Sequence, residues 1–385
     1  MAADIGWRAA GTGGRSLILL ALLAAPGLAA LRAGRALARH GAAARQAGGP
    51  VPARQFLAML GPALLLGLPP AAWYRFGLFR PEAGGASDYL TRELTRQGLY
   101  PMIGAGVQGE AGRLLADRFL FSRHALRHGL PMARLALAAE PSGLIYPETA
   151  LELPALDLFV KPRRGRVRGD TERWDYAGEG RWLHPSGDSL GEGELVARFV
   201  SLAKRRGRGI VVEQQARNHP DIIALSGRVL ATVRVLTWRG EAGRIEASDA
   251  ILRMATARRG ARELSEPGRI GAPIDLESGR LGEATDLASA MPGPRLARHP
   301  NTGADIAGRL LPFWPEARAL AIRAHASLPA GAPLVGWDLA ITAEGPVLIE
   351  ANPAPGLDML QRAKGRGLAA GRFGELLEER LKVLL

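Results

Sequence analysis

The sequence predicts an α+β fold, because helix-like and strand-like patterns alternate along a chain with enough apolar residues for a packed core. The 385 residues are 47% hydrophobic, and this length favours two or three structural units with a cleft between them. Apolar residues recur at helical spacing from the N-terminus to about His128. Compact apolar runs, which are typical of buried strands, follow from Leu156 onward.

Residues 1–85 are predicted to be a helical N-terminal region rich in Ala, Leu and Arg. Its first apolar stretch, Ser16–Leu31, is short and broken by Pro26, and the arginines that follow it would resist export as a signal peptide. The second stretch, Phe56–Trp73, also contains prolines. We therefore expect a peripheral or buried helical region that can contact a membrane surface, with insertion into the membrane as the alternative.

The absence of cysteine excludes disulfides, thiolate metal sites and cysteine nucleophiles. It agrees with a reducing compartment, and we expect the protein in the cytoplasm, with the inner face of the membrane as a possible position. The sequence does not indicate an oligomeric state.

The net charge of +13 comes mainly from arginine, since only four of the 50 basic residues are lysines. This preference is typical of a GC-rich bacterial genome. The positive charge still favours nucleotide phosphates, acidic glycans and anionic lipids as ligands. No zinc-finger spacing, helix-turn-helix signature or aromatic-interleaved basic strand is present, so nucleic acid is not an expected partner.

The strand predictions begin with a buried strand that ends in a lysine and a proline. The predicted strand segments are Leu156–Pro162, Gly209–Gln214, Arg228–Trp238, Gly243–Met254 and the hairpin within Leu334–Gly356. The predicted helical segments after the N-terminal region are Asp88–His128, Gly193–Arg206 and Ala304–Ser327.

The final hairpin carries the most informative side chains. Its turn is predicted at Ala343–Pro346. Glu350 and Asn352 are two residues apart and so share a face, and a loop of odd length would put Asp338 on that face as well. Two carboxylates and an amide in an apolar strand pair indicate a Mg²⁺ site, because this ion accepts such oxygen ligands. An ordinary surface hairpin with polar residues facing water is the alternative.

Lys161 lies at the end of an apolar strand and precedes the loop RRGRVRGD. Its ammonium group can contact a polyphosphate while the amides of the loop close over it, and Gly165 and Gly169 allow close approach of the backbone. An exposed basic loop after a strand is the alternative.

Glu213, Gln214 and Gln215 follow the next apolar strand. An acid or amide at this position can accept hydrogen bonds from ribose hydroxyls, while the strand backbone contacts adenine. From the residues alone, a solvent-exposed strand end is the preferred interpretation.

Five segments, VKP, VVEQ, TVRVLT, GWDLAI and LIEANPAPG, occur in the order found in ATP-grasp enzymes. From about Tyr74 to Leu385 the chain resembles the sugar-transfer-associated ATP-grasp group, relatives of glutamate-ligase-like proteins. The resemblance implies a two-lobed α+β fold that grips ATP between two antiparallel sheets. It divides the chain into a small lobe at 86–155, a nucleotide-binding subdomain at 156–227 and a C-terminal subdomain with the metal site at 228–385.

The resemblance also assigns a role to each candidate residue. Lys161 corresponds to the phosphate-binding lysine, and Arg234 and Arg253 to the cations that steady the transferred phosphoryl group. The adenosine contacts are Glu213, Gln214 and Gln215, and the metal ligands are Asp338, Glu350 and Asn352.

The chain departs from this family pattern at three places. Asp117-Arg118 stands where the family usually has an aspartate followed by a lysine, and Arg118 can still bind phosphate in a bidentate manner. The loop after Lys161 is richer in arginine than usual, and the segment after Arg253 lacks the usual asparagine-glycine stretch.

The resemblance implies an ATP- and Mg²⁺-dependent ligase that joins a carboxylate to an amine through an acyl-phosphate, in polysaccharide or cell-envelope modification. Its partners would be small-molecule or glycan carboxylates and amines. Two other hypotheses stay open: a degenerate nucleotide-binding scaffold of a polysaccharide machine, and a basic protein that binds nucleic acid or a membrane surface.

Overall fold

A computed structural model describes residues 12–106, 108–147, 152–165, 171–240, 243–256 and 268–384, and it describes side chains from residue 24 onward. Two predicted features therefore lie outside it in part. The first is the loop after Lys161, of which Gly169 is not described. The second is the unusual segment after Arg253, most of which is not described.

Three helices form the N-terminal region: α1 (Thr12–Gln46), α2 (Pro52–Leu65) and α3 (Pro70–Arg75). Helix α1 continues through Pro26, where the sequence predicted a break. Tyr74 donates a 2.7 Å hydrogen bond to the buried Gln55, whose amide nitrogen in turn donates to the carbonyl oxygen of Gly41, and these contacts join the three helices. Within the described residues, no helix combines the length and the apolar character needed to cross a membrane.

The remaining helices lie on the faces and at the ends of two sheets. They are α4 (Arg92–Leu94), which continues through a π-helical turn (Thr95–Leu99) into α5 (Tyr100–Ile103), and then α6 (Gly109–Ala116), α7 (Arg118–Arg127), α8 (Glu192–Arg206), α9 (Pro220–Ser226), α10 (Trp314–Ala326), α11 (Asp358–Lys364) and α12 (Arg372–Leu384).

The first sheet has seven antiparallel strands in the order β2-β1-β7-β3-β4-β5-β6. These are β1 (Leu135–Glu140), β2 (Gly143–Tyr146), β3 (Leu158–Pro162), β4 (Glu172–Gly178), β5 (Arg181–Leu183), β6 (Ser189–Gly191) and β7 (Ile210–Gln214). Helix α8 covers one face with Phe199 and Leu195 against Val160 and Val212. It ends at Gly207, whose φ of 60° suits glycine.

The second sheet has six antiparallel strands in the order β11-β10-β9-β8-β12-β13. These are β8 (Thr232–Arg239), β9 (Ile245–Thr256), β10 (Gly268–Pro273), β11 (Thr285–Asp286), β12 (Leu334–Thr342) and β13 (Gly345–Asn352). Val233, Val235, Trp337 and Leu339 point to one face, where α10 and the α6–α7 pair complete the largest core. Leu236 and the neighbouring residues of the other face pack on α11 and α12.

The predicted class, an α+β fold with two antiparallel sheets and a helical N-terminal region, is confirmed. Residues 228–238 and 243–254 pair as neighbouring strands β8 and β9. Two predictions are wrong in detail. The segment 304–327 becomes helical only at Trp314, and the polar stretch before α8, which was not assigned to strands, contains β4, β5 and β6. Strands β1 and β2 precede the predicted subdomain boundary at residue 155, and β3 to β7 follow it, but all seven belong to the first sheet.

A buried hydrogen-bond chain fixes α10 to the second sheet. Trp337 Nε1 donates to Thr237 Oγ1 at 2.8 Å, and this hydroxyl lies 2.7 Å from Nδ1 of His325. The other ring nitrogen of His325 donates to the carbonyl oxygen of Ala332 at 2.8 Å. Burial lowers the pKa of His325 from 6.5 to about 4, although the hydrogen bond to Ala332 opposes the shift. The folded protein therefore holds this imidazole neutral.

We expect His325 to make the protein less stable as the pH falls from about 6.5 to about 4. In this window the unfolded chain binds a proton on His325 and the folded chain does not, so the free energy of unfolding drops by about 3 kcal/mol. Below pH 4 both states are protonated and the loss is complete. Urea unfolding at a series of pH values measures it. His325→Gln should be less stable at neutral pH but show a smaller drop, and an equal drop in both proteins would contradict this account.

Candidate active site

A β-bulge brings the predicted carboxylates opposite each other. The hairpin turns through two residues, Ala343 and Glu344, between β12 and β13. With an undisturbed ladder this even-length turn would put Ile349 opposite Asp338. The register instead shifts by one residue after Asp338, so that Asp338 pairs with Glu350. The predicted shared face is therefore present, but the bulge produces it rather than an odd-length loop.

Asp338 lies on β12, between β8 and the edge strand β13, and is only 2% exposed. Its Oδ1 and Oδ2 accept hydrogen bonds from Nε and Nη2 of Arg234 at 2.6 and 2.8 Å, and Nη2 of Arg253 lies 2.8 Å from Oδ1. Arg234 is equally buried. Burial disfavours its charge, but the Asp338 carboxylate outweighs this effect and the pKa of Arg234 lies above its usual value. The two arginines and this carboxylate thus form one buried ionic cluster.

Glu350 lies one strand away, on the outer side of Asp338, and Arg118 of α7 contacts it. Arg118 Nη2 lies 3.2 Å from Oε1 of Glu350, while its Nη1 donates to the carbonyl oxygens of Pro162 and Gly165 at 2.8 and 2.9 Å. One guanidinium group therefore connects the end of the first sheet with the edge of the second. These hydrogen bonds hold it in a fixed position between the sheets.

Asn352 is the third predicted metal ligand. Its side-chain nitrogen donates to the carbonyl oxygen of Gly336 at 3.4 Å, so the amide oxygen is the group left to act as an acceptor. Both residues belong to the paired ends of β12 and β13.

Asp117 is the N-cap residue of α7. Its carboxylate caps the first turn of the helix and accepts hydrogen bonds from Nε of Arg163 and of Arg164, each at 2.8 Å. Arg163 also donates to Glu140 at 2.6 Å. Burial would raise the pKa of Asp117, but the hydrogen bonds from both arginines hold it below its usual value. The cluster keeps the loop after β3 against the helix that carries Arg118.

Lys161 and Glu213 lie on the face of the first sheet opposite α8. Lys161 Nζ is 2.7 Å from Glu213 Oε2, and Glu213 is 1% exposed, so its position is not the solvent-exposed strand end that the residues alone favoured. Glu213 Oε1 and Gln215 Oε1 are buried and have no hydrogen-bond partner among the described residues. Such atoms are costly unless a ligand or water satisfies them. Gln214 is half-buried at the end of the same strand.

A cavity of about 720 Å³ opens between the second sheet and the loop that follows β3 of the first sheet, with helices α4, α6 and α7 along its wall. Among the described residues, its charged lining consists of five arginines and two carboxylates, and this mostly basic lining would attract an anionic ligand. The charged lining residues are Arg92, Arg96, Arg118, Arg164, Arg234, Glu350 and Asp358.

Four of the predicted site residues line this cavity: Arg118, Arg234, Glu350 and Asn352. Asp338 and Arg253 lie behind it in the ionic cluster, and Lys161, Glu213, Gln214 and Gln215 lie at the first sheet. Sequence reasoning did not identify Arg92, Arg96, Arg164 or Asp358. The four-residue spacing of Arg92 and Arg96, which puts both on one side of a helical turn, was the available signal.

The comparison with known protein families decides the assignment. Residues 107–373 match the model of the sugar-transfer associated ATP-grasp family. The chain belongs to this family. The match covers well over half of the chain and includes every candidate residue in the two sheets, so the predicted membership is confirmed.

Solved structures give more distant likenesses. An N5-carboxyaminoimidazole synthase from Aspergillus clavatus is 13% identical, with 63% of this chain and 45% of that chain covered and a TM-score of 0.33. A D-alanyl-alanine synthetase A from Vibrio cholerae is 14% identical, with 71% and 66% covered and a TM-score of 0.38. A D-alanine-D-alanine ligase from Coxiella burnetii is 12% identical, with 75% and 64% covered and a TM-score of 0.41.

This ATP-grasp chain thus spans less than two thirds of the length of those enzymes. Among curated proteins, none matches it at significant sequence similarity.

We expect the pairing of Asp338 with Arg234 to be a major determinant of stability. Asp338→Leu leaves the buried guanidinium group without its main counter-charge and should lower the free energy of unfolding by about 3–5 kcal/mol. The double variant Asp338→Leu/Arg234→Met removes both charges and should be more stable than Asp338→Leu alone. Urea unfolding of the two single variants and the double variant gives the coupling energy. Additive losses would show that the two side chains do not stabilise the fold as a pair.

Proposed function

We propose that this protein is an ATP- and Mg²⁺-dependent ligase that activates a carboxylate as an acyl-phosphate and joins it to an amine. The observation that carries the proposal is the basic cavity between the second sheet and the loop after β3, which has Arg118, Arg234, Glu350 and Asn352 in its wall. Family membership supports ATP as the nucleotide. The predominance of arginine in the cavity supports an anionic acceptor.

In the proposed reaction, a carboxylate oxygen of the acceptor attacks the γ-phosphorus of ATP and ADP leaves. The amine nitrogen then attacks the carbonyl carbon of the acyl-phosphate, inorganic phosphate leaves, and the nitrogen loses a proton as the amide forms. Arg234 and Arg253 neutralise the oxygens of the transferred group. Catalysis depends on positioning and charge, since no protein nucleophile is needed.

The adenosine part of the nucleotide would lie at Glu213, Gln214 and Gln215, with Lys161 on its phosphates. The orphaned acceptor oxygens of Glu213 and Gln215 fit this role, because ribose hydroxyls and the adenine amino group are hydrogen-bond donors. The ion pair with Glu213 holds the ammonium group of Lys161 in place. Nucleotide binding would shift part of this pairing from the carboxylate to the phosphates.

The metal ligands in the proposal are Asp338, Glu350 and Asn352. Carboxylate and amide oxygens are the donors that Mg²⁺ accepts, together with phosphate oxygens and water. Within the described parts of the chain, no three His, Cys, Asp or Glu side chains form a group that could hold a metal. In the proposal, phosphate oxygens and water would complete the coordination. Bound Mg²⁺ would neutralise charge on the transferred phosphoryl group.

Glu350→Ala should abolish ATP turnover while the protein stays folded. The side chain is at the sheet edge and about a fifth exposed, so its removal opens no sealed core. ADP release in the presence of Mg²⁺ and a panel of amino acids and sugar acids measures turnover, and circular dichroism checks the fold. Glu283→Ala, a change of the same type in the second lobe and outside the cavity, is the matched control. Undiminished turnover in a folded Glu350→Ala protein would remove the metal-site proposal.

Lys161→Met should weaken ATP binding by about tenfold or more, because it removes the cation proposed to contact the phosphates. The matched control is Lys204→Met, which changes one of the other three lysines at an exposed position on α8. The quantity to compare is the increase in melting temperature caused by ATP and Mg²⁺, since loss of the pair with Glu213 also changes the melting temperature itself. Equal ATP-induced increases in both variants would contradict the assignment of Lys161.

A catalytically degenerate nucleotide-binding scaffold is the second candidate function. One observation favours it: both carboxylates of the proposed metal site already face guanidinium groups, Asp338 those of Arg234 and Arg253, and Glu350 that of Arg118. The thermal-shift titration distinguishes nucleotide binders from non-binders. ADP release with candidate acids then distinguishes an enzyme from a scaffold. In either case we infer a cytoplasmic role in polysaccharide or cell-envelope modification.

A further inference from the structure

The charged side chains of the N-terminal helices are all basic, and they lie outside the proposed nucleotide site. From Ile5 to Pro81 the sequence contains nine arginines and no aspartate or glutamate, against a net charge of +13 for the whole chain. Acidic residues are spread over the rest of the chain. Such asymmetry indicates a partner that is itself anionic.

The same helices expose large apolar side chains. Leu65 is 85% exposed, Leu57 66%, Leu31 51%, and Leu28 and Leu64 46% each. Single exposed leucines are ordinary, but a group of them at one place indicates a surface that is covered in use.

Helix packing brings most of these leucines together. Helices α1 and α2 form a hairpin in which Gln55 contacts Gly41. Since the helices run in opposite directions with the same rise per residue, Leu64 and Leu65 near the end of α2 lie level with Leu31 and Leu28 of α1. The exposed leucines therefore form one apolar end of the hairpin, which we call the leucine end.

Arginines stand beside the leucine end. Arg32, Arg35 and Arg39 follow Leu28 and Leu31 at helical spacing on the exposed side of α1. Together with His40 and Pro69–Ala71 they line a cavity of about 210 Å³ between α1 and α3. Among the residues whose side chains the structure describes, none that lines this cavity is acidic. It is basic, open and next to apolar surface.

We propose that the α1–α3 unit binds the surface of an anionic lipid bilayer, with the leucine end in the boundary between head groups and acyl chains and the basic cavity on the lipid phosphates. Leucine side chains can enter the acyl-chain side of that boundary, while the arginines beside them contact its anionic head groups. Basic residues near an anionic leaflet each add to the attraction. The proposal does not depend on the ligase assignment.

Two other partners fit the same surface less well. Nucleic acid would match the arginines but leave the leucine end exposed to water. A second copy of the chain would cover the leucines but bring two sets of arginines together. The bilayer matches both parts of the surface.

Flotation of the full-length protein with vesicles tests the proposal. We expect binding to vesicles that contain phosphatidylglycerol, little binding to phosphatidylcholine alone, and weaker binding at high salt. Arg32→Gln/Arg35→Gln/Arg39→Gln should lower the partition coefficient on the order of a hundredfold, at about fivefold per arginine. Leu64→Ser/Leu65→Ser should lower it by about tenfold or more.

Matched variants control for charge and exposure. Arg205→Gln/Arg244→Gln/Arg298→Gln removes the same charge from exposed positions outside the N-terminal helices, and Leu126→Ser removes a leucine that is 73% exposed on α7. Both should bind vesicles like the parent protein. All variants should keep the parent's melting temperature, because the changed side chains are exposed.

Several results would overturn the proposal. They are equal loss of binding in the control arginine variant, equal binding to neutral vesicles, or binding to duplex DNA but not to vesicles. Self-association in the absence of lipid, abolished by Leu64→Ser/Leu65→Ser, would instead assign the leucine end to a second copy of the chain.

Discussion

The second sheet depends on the buried ionic cluster of Asp338, Arg234 and Arg253. A buried carboxylate on an inner strand of a sheet is tolerated only if it is neutralised and hydrogen-bonded, and the two guanidinium groups provide this. The cluster fixes the faces of three neighbouring strands. With Arg234 and Asp338 on one side, the alternating residues Val233, Val235, Trp337 and Leu339 must point to the other, where α10 and the α6–α7 pair cover them.

The two lobes meet through charged groups rather than through a shared apolar core. Arg118 contacts the loop after β3 and Glu350 at once, and Asp117 beside it holds Arg163 and Arg164. The backbone also joins the lobes where Met132 forms an isolated β-bridge with Leu348 of β13 and the amide of Ala133 donates to the carbonyl oxygen of Leu348. A polar boundary of this kind leaves a cavity between the lobes that can accept an anion and can adjust when one binds. The proposed ligase and the proposed scaffold both use this property.

The N-terminal helices differ from the two sheets in the size of their core and in the composition of their surface. Their core is small and is built around Met59, Trp73 and Tyr74, and their outer surface combines leucine with arginine and has no acidic residue. A ligase active on cell-envelope material would work close to a membrane. The proposed bilayer contact would bring the cavity beside the second sheet to that location without requiring a membrane-spanning segment.

The sequence by itself determined several of the buried strands and the family. Apolar periodicity predicted β3, β7, β8, β9 and the final hairpin, because buried strands need continuous or alternating apolar residues whatever their neighbours are. Five motifs in order predicted the ATP-grasp family, and the match over residues 107–373 confirmed it. The spacing of Glu350 and Asn352 predicted that these two side chains share a face.

Only the tertiary structure decided which charges meet. The bulge after Asp338 changes the register by one residue, and the hairpin sequence carries no clear signal for it. The pairing of Arg118 with Glu350 joins residues 232 positions apart, and the burial of Glu213 depends on two other strands and the lobe around them. Such contacts depend on long-range packing, whereas sequence periodicity reports only on the local surroundings of each residue.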